Sequence, residues 1–479
     1  KSFTKSAGKR ADELISVSII LFVYNKVRGD VFSGLIFMGK FTGGIMHQLT
    51  RLIKNDMKPA LGVTEPGAIA FCAATAREYA EGNLMSIRVE LNSGMYKNAF
   101  TCGIPNSLEL GAGFAAALGY VGGKAGKGLE ALADITEADN AVARKLLNEN
   151  IVKVKVCEVT SRLFIRIQIR TSKQIVTVTI RDAHTNITEI RVNEKIIYGD
   201  DTLYEAQKNK ENNSAESTSL IQQITFQEIL DYVDTVDPEE IDFVREAYKI
   251  NIQLFRCGLD SERTVFTKRL FSRNGNRIIS NNEQMTASLL CGGAIEARVL
   301  GLNKAAMSIT GSGAHGIIAT LPLYAAYKVK GYAEEKLLRA TILSYLICMY
   351  IKECSGRLSA FCGCAIAAGA GMACGLVFLR GGGRKEMAAV LNHFAGSITG
   401  MICDGGNRGC TLKGIVAIDA AYQAVDFAMY GVLLEAAHGI CGRTPEETMR
   451  NIGRIAAPGM TETERTILRI MERKRKRRS

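Results

Sequence analysis

Three cysteines near the C-terminal end, Cys362, Cys403 and Cys410, have the chemistry and spacing to hold a soft metal centre. The last two lie in Met401-Ile-Cys-Asp-Gly-Gly-Asn-Arg-Gly-Cys410, separated by six residues that are mostly turn formers. Glycine, Asn and Asp let such a backbone curl back, so two thiolates can converge. A third thiolate from the turn Ala360-Phe-Cys-Gly363 can close three corners of an iron–sulfur cluster. Three ligands on a four-iron cluster leave one iron open as a Lewis acid. Spacing alone does not separate ligands from buried thiols among thirteen cysteines, but the glycine-marked turns favour exposed sulfur.

A second constellation is Ser308-Ile-Thr-Gly-Ser-Gly-Ala-His-Gly316, ahead of an apolar helical run from Ile317. A glycine-rich turn at a helix N-terminus offers free N–H groups and a positive dipole end, suited to a carboxylate or phosphate. Ser312, Gly313 and His315 are its candidate binding residues, and the imidazole adds a proton donor or acceptor. Lys97-Asn98, after the first long strand, can present a cation and an amide to a small anion. His184-Thr-Asn186 reads as a turn between strands.

The elements that must position these groups fall into two regions. Helical spacing runs from His47 to Met57. Thr64 is placed as the N-cap of a helix with Pro66 in its first turn, continuing to Tyr79. Ser86–Asn92 alternates as a strand, and helices are expected around Gly111–Leu118 and Glu137–Leu147. From Ile151 to Tyr198 the period is two throughout, which predicts an antiparallel meander. Residues 46–200 are therefore expected to form an α+β domain. Residues 201–222, polar and rich in Asn, Lys, Glu and Ser, are expected as a linker or loop. Residues 223–471 are expected to form an all-α domain of helices rich in Gly, Ala and Ser, packed closely. Residues 1–45 read as an extension outside the fold, and 472–479 as a basic tail.

The 479-residue chain is 47% hydrophobic and 23% charged, the balance of a folded globular protein. Its net charge of +12 is concentrated in part in Arg473-Lys-Arg-Lys-Arg-Arg478. No aromatic-studded basic surface accompanies that run, so no nucleic-acid partner is expected. The apolar run Leu14–Tyr24 is too short to span a bilayer, and no membrane partner is expected. Irregularly spaced cysteines, several within apolar helical runs, indicate a reducing, cytoplasmic compartment.

Four blocks, in order, carry a resemblance to the L-cysteine desulfidase family, relatives of the iron–sulfur L-serine dehydratases of the alpha-chain type. They are Lys58-Pro-Ala-Leu-Gly-Val-Thr-Glu-Pro66, Gly311-Ser-Gly-Ala-His-Gly316, Gly356-Arg-Leu-Ser-Ala-Phe-Cys362 and Thr399-Gly-Met-Ile-Cys-Asp-Gly-Gly-Asn-Arg-Gly-Cys410. The resemblance implies one [4Fe–4S] cluster per subunit on Cys362, Cys403 and Cys410. It implies an amino-acid substrate held by Thr64, Glu65, Lys97, Asn98, Ser312, Gly313 and His315. An open iron would bind the substrate's thiol or hydroxyl and its carboxylate, and a base would take the α-proton. L-cysteine would then give pyruvate, ammonia and sulfide without pyridoxal phosphate; L-serine dehydration is the close variant. Homo-oligomerisation is left open. Two positions depart from the pattern. Val63 stands where the family carries its proposed base, a cysteine, and Ala314 where asparagine is usual. His315 and Glu65 are the candidate replacement bases. The alternative is a catalytically impaired homologue keeping the cluster for structure or redox sensing.

Overall fold

The computed structural model describes residues 46–213, 219–356 and 358–476. The extension expected over residues 1–45 and the last three residues of the tail lie outside them. The described chain enters through α1 (Gln48–Asp56), which Leu49 and Ile53 seat on the helical core. Then β1 (Lys58–Leu61) leads into α2 (Thr64–Glu78). Val63, in extended conformation, precedes that helix, and Thr64 is its first residue instead of its N-cap. The Thr64 hydroxyl donates to Glu65 Oε2 at 3.1 Å, so the neighbouring carboxylate claims the group expected to cap.

Next come β2 (Leu84–Asn92), α3 (Ser93–Ala99), α4 (Ala112–Val121) and α5 (Glu137–Asn148). Five strands follow: β3 (Val152–Glu158), β4 (Phe164–Thr171), β5 (Ile175–Arg181), β6 (Ile187–Val192) and β7 (Lys195–Gly199). The sheet order is β3-β2-β4-β5-β6-β7. Strands β4 to β7 form the antiparallel meander that alternation predicts, with Ile167 opposite Val178 and Val178 opposite Ile190. Strand β3 departs from it by pairing parallel with β2 at the sheet edge, Val89 opposite Val154. A period of two reports which face is buried, not which way the strand runs. The helices between β2 and β3 supply the crossover a parallel pair needs. Ile87, Val89, Leu91, Ile165, Ile167, Ile169, Val176 and Val178 bury one sheet face with α2 and α4.

Asp201 opens α6 (Asp201–Asn213), inside the segment expected as a linker. Its buried carboxylate accepts from Arg166 at 2.7 Å and from Arg181 at 2.6 Å, on the charged face of the sheet. Partners this distant in sequence leave no local signal, which is why composition reads the segment as loop. A second short helix, α7 (Leu220–Gln223), ends the same segment.

The C-terminal region is mostly helical. It comprises α8 (Phe226–Thr235), α9 (Arg245–Asp260), α10 (Phe266–Arg273), α11 (Glu283–Val299), β8 (Ala305–Ser308), α12 (Gly313–Lys330) and α13 (Glu334–Ser355). After these come α14 (Gly369–Leu379), α15 (Arg384–Ser397), α16 (Gly409–Met429), α17 (Pro445–Arg454) and α18 (Thr461–Lys476). Helix α11 is buried along nearly its whole length and packs on α9, α12 and α16. Small residues set such approaches: a Cβ on Gly371 of α14 would lie 2.2 Å from the Ser344 carbonyl oxygen of α13. Strand β8 interrupts the expected all-helical pattern. It pairs antiparallel with β1, Lys58 opposite Ser308, and so ties the first sequence block to the glycine-rich one. Residues 472–476, expected as tail, continue α18. No described helix is long and apolar enough to cross a membrane.

Candidate active site

The segments around Cys362 and Cys403 run past each other through an antiparallel bridge between Phe361 and Ile402. The Cys403 N–H donates to Ala360 O at 2.6 Å and the Cys362 N–H to Met401 O at 3.0 Å. Backbone hydrogen bonds thus fix side by side two cysteines that are far apart in sequence. Cys410 lies in the first turn of α16, its thiol donating to Gly405 O at 3.4 Å. The intervening loop requires glycine, because Gly405 has φ +100° and a Cβ there would lie 2.3 Å from Lys97 O. Burial pushes the Cys403 and Cys410 thiols up, Cys410 to about 12, and the other sulfurs of the trio add to this. The Cys362 thiol is pushed well up by its hydrogen bond with Cys364 and then by burial. Lys97 and Lys413 act in the opposite sense on Cys403.

Among the described residues, no three His, Cys, Asp or Glu side chains group closely enough to hold a single ion. A [4Fe–4S] cluster takes one thiolate per iron, so its ligands surround it instead of meeting at a point. Three soft sulfurs on backbone-fixed turns, with two ammonium groups near enough to offset thiolate charge, are a donor set that fits such a group.

Asn98 joins the first block to the cysteine loop. Its Nδ2 donates to Glu65 Oε1 at 2.8 Å, its Oδ1 accepts from the Cys403 thiol at 3.8 Å, and its carbonyl accepts from the Gly406 N–H at 3.3 Å. Lys97 sits differently from a substrate-facing cation. It is buried and donates to Glu464 Oε2 at 2.5 Å and Ser359 O at 2.8 Å. Burial opposes ionisation of Glu65, but His184, Asn98 and Arg298 outweigh it and hold the carboxyl down at about 2. Val63 is buried against the same loop. A Cβ at Gly406 would lie 3.1 Å from Val63 Cγ1 and 3.3 Å from Cys102 Cβ. Position 63 therefore packs on the loop between Cys403 and Cys410 while carrying no titratable group.

Helix α12 begins at Gly313, and Ser312 precedes it without a side-chain capping bond. Its first N–H groups have no partner within the helix. His315 is buried in that first turn, with Nδ1 bonded to Thr310 Oγ1. Its Nε2 faces Gly363, where a Cβ would come within 2.8 Å, directly after Cys362. Burial, then the charges of Lys352 and Arg298, hold the imidazole down to about 3, so it is neutral at physiological pH.

Two residues of this region escape sequence reasoning. His184, read as a turn residue, is buried with Nε2 3.9 Å from Glu65 Oε1 and without a hydrogen-bond partner. Arg298 is buried at the end of α11, beside Gly313, where a Cβ would lie 2.7 Å from its Nε. Its signal was available: an arginine and Glu296 within an otherwise apolar, small-residue helix are residue types almost never buried without purpose. Glu296 is accounted for, since it caps α10 by accepting from the N–H groups of Val265 and Thr267, both at 2.8 Å.

A model of the serine dehydratase alpha chain family matches residues 126–469. The chain belongs to that family. The serine dehydratase alpha chain match contains His184, Arg298, His315 and the three cysteines, whereas Val63, Glu65 and Asn98 precede it. A UPF0597 protein of Clostridium botulinum (strain Okra / Type B1) is 39% identical over 426 residues, covering 88% of this chain and 98% of the relative. UPF0597 proteins of Caldanaerobacter subterraneus subsp. tengcongensis and Clostridioides difficile (strain 630) are 36% and 31% identical. These cover 89% and 88% of this chain, and 98% of each relative. Membership points to a serine dehydratase-like function.

Proposed function

We propose that the chain is an iron–sulfur-dependent lyase that removes the β-substituent of an L-amino acid. L-cysteine would yield pyruvate, ammonia and sulfide, with L-serine dehydration as the close variant. The observation that carries the reading is the Phe361–Ile402 bridge, which sets Cys362 beside Cys403 at the loop that also supplies Cys410. Those three residues would hold a [4Fe–4S] cluster. When bound, the cluster supplies an open iron as a Lewis acid toward the leaving group. The chain's own groups would do the rest. Glu65 stays ionised and offers an acceptor to the substrate ammonium. The N-terminal turn of α12 offers donors to an anion. His315 Nε2, neutral and next to the Cys362 turn, is placed to receive a proton.

The test is anaerobic purification and reconstitution, iron and sulfide quantitation, and assay of pyruvate release from L-cysteine and L-serine. A colourless protein that takes up no iron would overturn the cluster. Iron uptake without release of pyruvate from either amino acid would overturn the reaction.

That second result is the one expected from a different reading, a catalytically impaired homologue keeping its cluster for structure or redox sensing. Val63 favours it, since a buried valine stands against the cysteine loop at the position where the L-cysteine desulfidase resemblance implies a base. So does the weak basicity of the remaining candidates, His315 at about 3 and Glu65 at about 2, when an effective general base titrates near the working pH.

A further inference from the structure

Arg298 is 4% exposed, and among the described residues no carboxylate oxygen comes within 4.0 Å of its guanidinium, although its charge reaches Glu65. Its Nε is buried without a hydrogen-bond partner. A cation in the last turn of a helix gains from the dipole of that helix. That gain explains an exposed arginine, not one buried without a direct ion pair, which is a costly arrangement even with the Glu65 carboxylate in its field. The guanidinium lies against Gly313, at the uncapped start of α12, where the absence of a Cβ leaves its Nε room. Two independent features therefore point at one place: a buried arginine whose Nε has no partner, and a helix N-terminus whose donors Ser312 leaves free. Both select an anion. The Glu65 carboxylate, which feels the Arg298 charge, takes its hydrogen bonds from Thr64 and Asn98 instead.

We propose that Arg298, together with the first N–H groups of α12, is the anchor for the α-carboxylate of the substrate amino acid. This rests on the amino-acid lyase reading given above. The guanidinium presents its donors in a rigid fork that matches a carboxylate in two parallel hydrogen bonds. A carboxylate carries about four acceptor sites, so an arginine anchor is compatible with an additional metal contact. Glycine at position 313 gives the Arg298 Nε and the Ala306 Cβ their room, and the anchor explains why the cation is buried with no carboxylate bonded to it directly. It also defines specificity: acids bearing a free α-carboxylate are accepted, and their amides are rejected.

The test compares L-serine with L-serine amide, and L-cysteine with its amide, on the anaerobically reconstituted full-length protein. Calorimetric binding and, where pyruvate forms, KM and kcat are the readouts. For the wild type, each amide is expected to bind ~10- to 100-fold more weakly than its acid, the range for a charged hydrogen-bonding pair. Arg298→Gln is expected to raise the Kd or KM of the acid by a similar factor, to lose the discrimination against the amide, and to change kcat less. Arg298→Lys keeps the charge and should recover part of the affinity. If the glutamine variant does not fold, Arg298→Lys decides, since it keeps the charge, loses the two-bond fork and should shrink the ratio of acid to amide binding relative to the wild type. Equal binding of acid and amide, an unchanged acid affinity in Arg298→Gln, or no amino-acid binding at all would overturn the anchor. Arg298-dependent binding without pyruvate release would sink the proposed reaction while the anchor stands. Pyruvate release with a KM indifferent to Arg298 would do the reverse.

Discussion

Asn98 donates to Glu65 Oε1 at 2.8 Å while its own carbonyl groups, side chain and main chain, face the Cys403 loop. One amide thus bridges a carboxylate near the start of α2 and a cysteine that lies more than three hundred residues later in the chain. Asn98→Ala leaves a buried carboxylate short of a donor, which costs about 1–3 kcal/mol. The expected result is a lower urea midpoint with an unchanged denaturant slope, and faster loss of iron from the reconstituted protein. A variant as stable as the wild type, retaining iron equally well, would remove the bridge from the account.

Glu65 supplies the pH dependence. Its carboxyl titrates at about 2 in the fold, against an ordinary value of 4.5. A lowered value means that the ionised form stabilises the fold. That contribution is complete above the ordinary value and lost as pH falls from there toward about 2. A shift of this size corresponds to about 3 kcal/mol. Glu65→Gln removes it, so the stability gap between wild type and variant should be widest near neutral pH and should close on acidification. A gap that stays constant with pH would show that Glu65 acts through packing alone.

The cysteine trio predicts a pattern of substitutions. Cys362→Ala, Cys403→Ala and Cys410→Ala should each abolish most iron uptake and brown colour on anaerobic reconstitution. Cys157→Ser, at an exposed strand position, should leave both intact. Equal iron content in all four proteins would exclude these sulfurs as the ligands.

Val63→Cys tests whether a base is what the site lacks. The position is buried against Gly406, and a nearly isosteric swap in such a place usually costs less than about 1.5 kcal/mol. If the chain is an impaired homologue, the variant should release pyruvate where the wild type does not. If the wild type is active, the variant should change the pH profile of kcat. A silent variant in a stable, iron-loaded protein would mean that the vacancy at position 63 is not what limits turnover.

The sequence displays the sheet, the helical region and the cysteine pair because each leaves a local mark: alternation, small-residue helices, a glycine-rich loop. What it conceals depends on partners far along the chain. Strand β3 alternates like its neighbours, yet pairs parallel with β2, because alternation is blind to direction. Asp201 looks like the start of a polar linker until Arg166 and Arg181 are seen across from it. Lys97 looks like a free cation, and burial beside Glu464 changes its role. His184 carries no motif, and Arg298 leaves only the mark of a charge in an apolar, small-residue helix. Their interest lies in being buried with unpartnered nitrogens, a property of the fold and not of the residues beside them.

Lys97 and Glu464 give the last prediction. They are 1% and 6% exposed and pair at 2.5 Å, joining α3 to α18. The Lys97 ammonium also holds Ser359 O, next to the Ala360 carbonyl that accepts from Cys403. A buried ion pair is weak evidence for net stability, but removing one partner strands the other charge in the interior at a cost of about 3–5 kcal/mol. Glu464→Gln is therefore expected to lower stability by that order and to loosen the Cys362 turn, visible as faster iron loss. The double change Lys97→Met, Glu464→Leu removes both charges, and chemical denaturation should show it to be clearly more stable than Glu464→Gln. Additive effects in the double variant would mean that the two groups do not act as a pair. Iron retention unaffected by Glu464→Gln would mean that α18 stabilises the fold without supporting the cysteine turns.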